Sequence, residues 1–221
     1  MSRYCIIPAR AGSKRLPGKN KANILGKPMY RYAIENCIQA DIFDHIIVTT
    51  DDQDIIAELS DCQSIYLHVR SNYSGDSDTL LDLTFHVLKD YQPQDDDWIY
   101  LILPTYPLRE TQLLVEAVQK EGDASSICAT SLSPFDPRQT LVRKNTDSHA
   151  SPMIESAISR RKEPDTVYES VNGSLFAVIY AKLTAQHSFF VPPIATVETP
   201  WWKSIDINTK HDLYVVHKLC Q

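Results

Sequence analysis

No apolar run in this chain reaches the ~18 residues that a membrane-spanning helix needs. The first apolar stretch, Cys5–Pro8, is too short for a secretory leader. A cytoplasmic protein with no membrane partner is therefore expected. The five cysteines (Cys5, Cys37, Cys62, Cys128 and Cys220) are odd in number and form no C-x-x-C pair, which argues against a disulfide framework or a zinc site. Cys5 and Cys128 sit in apolar runs and read as core thiols. The seven histidines show no H-E-x-x-H or comparable metal-ligand spacing. Glycine is also scarce, six residues in 221, yet Gly12, Gly18 and Gly26 all fall near the start. The most telling absence is acid. Residues 1–34 contain eight Lys or Arg and no Asp or Glu, whereas the chain as a whole has 22 basic and 28 acidic residues and a formal charge of −6.

A chain of this length can bury the core of one large domain, or of one domain with a subdomain. Strand-like and helix-like runs alternate along it, the pattern of an α/β protein with a mainly parallel sheet flanked by helices. The strands expected are Tyr4–Pro8, His45–Thr50, Ile65–Val69, Trp98–Leu103, Ser125–Thr130, Ser174–Tyr180 and Ser204–Ile207, with apolar centres suited to a sheet covered on both faces. Helices are expected over Met29–Ala40, Gln53–Ser60, Thr79–Tyr91, Thr111–Glu121 and Thr209–Leu219. Thr79 with Asp82 three residues on forms a capping-box pattern. From Ser131 to Val171 no central strand is evident. Pro134, Pro137 and Pro152 are followed by the basic run Arg160, Arg161, Lys162. Forty residues is too long for an ordinary loop, so a protruding arm at about 131–171, inserted in a single domain of residues 1–221, is expected.

The first strand runs into a loop holding Arg10, Gly12, Ser13, Lys14, Arg15, Gly18 and Lys19. Open α/β sheets bind ligands at the carboxyl ends of their strands. A glycine there lets backbone amides approach an anion, and clustered Arg and Lys supply charge. A small polyanion such as a nucleoside triphosphate fits this loop. It is not a P-loop, because Gly12 and Gly18 are one residue too far apart and Asn20 stands in place of the magnesium-binding hydroxyl. The dinucleotide fingerprint G-x-G-x-x-G is absent too. A merely solvated basic loop is the alternative, disfavoured by eight cations and no acid in 34 residues. Nucleic acid is not an expected partner, since the positive charge is confined to one loop of an acidic chain.

Near the other end, Ser204–Asn208 carries an acid-x-amide pair, Asp206 and Asn208. On a strand these would share a face, and Mg²⁺ takes one or two carboxylates together with substrate phosphates. The competing role is a cap for the helix beginning near Thr209. Arg70 with Asp76, Ser77 and Asp78, and Leu101–Thr105 with Arg109, end two further strands.

The segments IIPARAGSKRLPGKN (6–20), LGKPMYRYAIE (25–35) and FDHIIVTTDD (43–52) closely resemble the acylneuraminate cytidylyltransferases. The resemblance continues through Arg70 with SDT (77–79), LPTYPLR (103–109), Asn172-Gly173, Phe189-Phe190 and SIDINTKHDL (204–213). It implies a Rossmann-like fold of the nucleotide-diphospho-sugar transferase type, with the protruding segment as a dimerisation arm. It also implies transfer of CMP from CTP to the anomeric hydroxyl of a sialic-acid-like nonulosonic acid, with Mg²⁺ as cofactor and a homodimer as the working unit. Arg10, Ala11, Gly12, Ser13, Lys14, Asn20, Arg70 and Asp78 would then hold the nucleotide, with Lys19, Arg10 and Asp206 as the catalytic groups. Asp206 and Asn208 would face the metal. Leu103, Asn172, Phe189 and Phe190 would face the sugar, with Arg160 reaching in from the partner subunit. Three positions depart from the family pattern: Asn208 stands for a second metal aspartate, Leu103 for a glutamine and Gln139 for a lysine. The first should weaken Mg²⁺ binding or make it depend on phosphate oxygens. All three leave the acceptor open among sialic, pseudaminic, legionaminic and 3-deoxy-octulosonic acids. A non-catalytic nucleotide-binding homologue is the alternative from another class.

Overall fold

The computed structural model describes residues 1–70, 79–132, 141–142, 151–153 and 168–221. Its centre is a seven-stranded sheet built from β1 (Arg3–Pro8), β4 (His45–Thr50), β5 (Tyr66–Val69), β6 (Trp98–Leu101), β7 (Ser126–Leu132), β10 (Glu169–Ile179) and β11 (Ile194–Glu198). Their order is β11-β7-β10-β6-β1-β4-β5. All pairings are parallel except those of β10, which runs against both β6 and β7. Two short antiparallel pairs lie outside this sheet, β2 (Asn23–Ile24) with β3 (Lys27–Pro28) and β8 (Leu141–Val142) with β9 (Ser151–Pro152).

Alternation along β1 sends Cys5 and Ile7 to one face and Tyr4 and Ile6 to the other. The first face packs against α1 (Met29–Ala40), α2 (Gln53–Leu59) and α4 (Thr111–Gln119) through Ile34, Ile55 and Leu114. The second packs against α3 (Leu80–Leu88) and α5 (Tyr180–Gln186) through Val87 and Leu183. A third, smaller cluster joins Leu16, Ile24 and Met29 to Ile207 and to Val216 of α6 (Lys210–Leu219). Layers on both faces bury β1, β4 and β6 almost completely, which is why those strands are apolar throughout. Cys5 and Cys128 are core thiols as expected. Among the described residues, no helix is long and apolar enough to cross a membrane.

Two expectations are corrected here. Ser204–Ile207 is not a strand; Ile207 turns into the third cluster and makes a backbone bond to Thr105 (2.9 Å). The strand beside β7 is instead Ile194–Glu198, whose Pro-rich lead-in and single buried residue, Val197, hid it. α5 was also missed, a seven-residue helix immediately following β10. Most of the expected arm at 131–171 lies outside the described residues.

The capping box at α3 is present. Thr79 Oγ1 accepts from Asp82 N (3.1 Å), and Asp82 Oδ2 accepts from Thr79 N (3.0 Å). Thr79→Ala should cost about 1 kcal/mol, a fall of roughly 2–4 °C in melting temperature by calorimetry. An unchanged melting temperature would show the cap to be idle.

Candidate active site

The next strand of the main sheet after β1, β4, pairs on one side of it, whereas β6 pairs on the other. Such a switch point opens a crevice at the carboxyl ends of the strands. Three segments converge there: the loop after β1, the loop after β6 and the stretch before α6. They bound a cavity of about 660 Å³.

The basic loop is held from within. Ala9 N donates to Thr49 O, and the side chain of buried Asn20 donates to Arg10 O (2.9 Å). Ala11 N donates to Asp51 Oδ1 (2.7 Å). Gly18, at φ 67°, starts the single 3₁₀ turn Lys19–Lys21 and is the loop position that needs a glycine's left-handed backbone. At Gly12 φ is outside the left-handed range, and a Cβ there would meet nothing within 4 Å; the glycine leaves open space on the cavity wall. Leu16 in the third cluster then anchors the loop against Ile207.

Of the residues expected to bind nucleotide, Arg10, Gly12, Ser13, Lys14, Asn20 and Arg70 line the cavity. Lys19, Leu103, Asp206 and Asn208 line it as well. Ala11 does not, though its amide fixes Asp51, which does. Asp78 and Arg160 lie outside the described residues. Arg70 is buried, with Nε and Nη2 donating to Thr49 Oγ1 (2.9 Å) and Thr49 O (2.8 Å). Thr79, at the head of α3, reaches the same wall.

Burial pulls the Lys19 ammonium below the usual lysine range. The Asp206 carboxylate opposes this, and Arg15 and Arg10 add to it. Lys19 Nζ and Arg15 Nη2 both donate to Asn208 Oδ1 (3.1 and 2.7 Å), while Asn208 Nδ2 donates to Asp206 Oδ2. Asp206 Oδ1 is buried and has no hydrogen-bond partner among the described residues. Among the described residues no group of three or more His, Cys, Asp or Glu could hold a metal. A single orphaned carboxylate oxygen beside a phosphate-sized basic cradle nevertheless fits Mg²⁺, which completes its octahedron with water and substrate phosphates.

Next to this lies a polar chain. Asn172 Nδ2 donates to Ser131 Oγ (3.1 Å), which pairs with Ser204 Oγ (2.9 Å), and Ser174 N donates back to Asn172 Oδ1 (3.2 Å). The pairing of β10 with β7 shifts register between Val171 and Phe176, where Asn172 sits. Gly173 is required there: a Cβ would lie 2.8 Å from Tyr106 Oη and 3.0 Å from Leu103 Cδ1. Gly173 N donates to that Tyr106 oxygen (2.9 Å). Burial, with a smaller push from Asp206, raises the Tyr106 phenol to about 12, so it stays protonated at neutral pH. Behind both loops lies Arg109, 3% exposed, whose Nη1 donates to Leu103 O (3.1 Å) and Ser174 O (2.8 Å).

The phenylalanines are not brought to the cavity. Phe189 belongs to the core with Leu83, Leu183 and Val191, while Phe190 is 46% exposed. Phe176 contacts both rings, at 6.0 and 5.7 Å between centroids. Sequence reasoning missed Asp51 as a lining residue, and named Thr105 only as part of a strand end without giving it a role. Each follows an apolar strand, the signal that picked out Arg70.

A family model described as cytidylyltransferase matches residues 4–170. The pseudaminic acid cytidylyltransferase of Campylobacter jejuni (strain NCTC 11168) is 35% identical over 218 residues, 96% of this chain and 94% of that protein. An N-acylneuraminate cytidylyltransferase of Streptococcus agalactiae is 28% identical over 216 residues, 96% of this chain and 52% of that one. Among solved structures, a CMP:2-keto-3-deoxy-manno-octonic acid synthetase complexed with CTP superposes with a TM-score of 0.70 at 20% identity, covering 100% of this chain and 98% of that one. That last likeness speaks for the fold.

Proposed function

The chain belongs to the cytidylyltransferase family, and from that premise we propose that it transfers CMP from CTP to the anomeric hydroxyl of a nonulosonic acid, releasing pyrophosphate. The observation that carries this reading is the convergence of Arg10, Lys19 and Asp206 on one cavity at the switch point of the sheet. Arg10, Lys14 and the loop around Gly12 would seat the triphosphate. Lys19 and Arg10 would take up the charge that develops on the departing pyrophosphate. Asp206 would hold Mg²⁺, which when bound offsets charge on the α-phosphate and lowers the pKa of a coordinated hydroxyl. Positioning for in-line attack supplies much of the remaining catalysis, as is usual in phosphoryl transfer.

The sugar side would begin at Leu103, which lines the cavity, with Tyr106 and Asn172 on either side of Gly173 behind it. Leu103 puts an apolar side chain on the cavity wall, which favours an acceptor presenting acylamino or deoxy carbons over one presenting hydroxyls. Pseudaminic acid is accordingly the first acceptor to try, with sialic, legionaminic and 3-deoxy-octulosonic acids beside it. We carry a cytoplasmic homodimer as part of this proposal. Leu132 and Val171, exposed apolar side chains on β7 and β10, lie at the two ends of the segment expected to form the arm.

Pyrophosphate release in a panel of CTP, Mg²⁺ and these four acids tests the reading. Turnover with at least one supports it, and none with any acid overturns it. Within that assay, Lys19→Ala should lower kcat/KM by roughly 10²–10³, the loss of one oxyanion donor. Its thermal stability should hold, because a loop lysine contributes little to folding. Unchanged kcat/KM would remove Lys19 from the mechanism.

A further inference from the structure

We propose that Asn208 is a positioning residue and not a metal ligand. Its amide oxygen holds Arg15 and Lys19 in the nucleotide-free enzyme and yields them to the triphosphate, so that the divalent cation enters with the nucleotide and not before it. The inference rests on the nucleotidyl-transfer reading above.

An amide oxygen has two lone pairs. At Asn208 both are engaged, one by Arg15 Nη2 at 2.7 Å and one by Lys19 Nζ at 3.1 Å. The other end of the same amide donates to Asp206 Oδ2, so its orientation is fixed, with donors on the oxygen side and a carboxylate on the nitrogen side. In the nucleotide-free enzyme Asn208 therefore has no lone pair left for a metal. Asp206 has one oxygen to give, the buried and unpartnered Oδ1. One protein oxygen facing three cationic side chains, Arg10, Arg15 and Lys19, is a poor resting place for a free divalent ion.

The neutral charge of the amide matters as much as its lone pairs. A phosphate oxygen adds to the hydrogen bond the attraction of opposite charges, which a neutral amide oxygen does not offer. A phosphate oxygen can thus take both cations from Asn208 at little cost, whereas a carboxylate would hold them in ion pairs that compete with the nucleotide. When the cations move to the triphosphate, their repulsion of a metal is neutralised. The phosphates then add the oxygens that Asp206 alone lacks.

Mn²⁺ serves as the probe, followed by electron paramagnetic resonance of the free ion with and without CTP, in the wild type and in Asn208→Asp. The wild type should bind Mn²⁺ at least about tenfold more tightly with CTP present. Asn208→Asp should bind Mn²⁺ without CTP at least about tenfold more tightly than the wild type. In EDTA it should bind CTP more weakly, by calorimetry. Equal Mn²⁺ affinity with and without CTP in the wild type, or no gain in Asn208→Asp, overturns the proposal. Should Asn208→Asp fail to fold, Asn208→Ala decides. Retention of CTP-dependent Mn²⁺ binding supports a positioning role, and its loss identifies Asn208 as a ligand and overturns the proposal. The two levels of inference separate cleanly: pyrophosphate release without the predicted Mn²⁺ behaviour sinks only the role of Asn208, whereas no release with any acid sinks the parent reading.

Discussion

Asp206→Ala should abolish pyrophosphate release from CTP, by about 10³-fold or more, while leaving the protein folded. The asymmetry follows from what the side chain does. Oδ2 accepts one bond, from Asn208, and buried Oδ1 accepts none. A carboxylate kept half-unsatisfied costs folding energy, so its removal should move the melting temperature by no more than a few degrees. The segment stays in place because Ile207, the next residue, is fully buried and bonded to Thr105. A variant that melts like the wild type but does not turn over places Asp206 at the chemistry. Near-normal turnover would remove it from the site.

Arg109→Met should have the largest effect on stability, about 2–4 kcal/mol, or a melting temperature roughly 5–15 °C lower. Arg109 is a guanidinium inside the core, and burial draws its pKa below the usual arginine range; arginine carries its charge in proteins all the same. Two carbonyls, those of Leu103 and Ser174, accept from its Nη1, while Nε and Nη2 have no partner among the described residues. Methionine relieves the buried charge but orphans both carbonyls. Because Leu103 lines the cavity and Ser174 bonds to Asn172, the same change should raise KM for the sugar acid more than KM for CTP. Equal melting curves for variant and wild type would contradict this account.

Much of the site was readable because its residues follow buried strands, and such strands are long apolar runs with abrupt polar ends. Arg10 and Arg70 were found on that signal. The fold was readable for the same reason, down to the capping box at Thr79. Three things were not. β11 is a short edge strand with one fully buried position, so it lacks the apolar run that marked the others. The pairing of Asp206 with Asn208 was argued from strand alternation, but no strand exists there; side-chain bonding and the burial of Ile207 bring the two together. Phe189 and Phe190 look alike in sequence, yet one fills the core and the other faces solvent, a difference set by α3 and α5 packing across the sheet.

The small cluster of Leu16, Ile24, Met29, Ile207 and Val216 has a consequence for how the enzyme could be divided. It fastens the cations of the first twenty residues to the carboxylate near residue 206, and it shares no residue with either main core. The family match over residues 4–170 ends before that carboxylate. A fragment confined to those residues would keep β1, β4, β5 and β6 and the whole basic loop, yet it would lack Ile207 and Val216 to seat that loop. On the proposed assignment, catalysis would belong to the join between the two ends of the chain and to neither end alone.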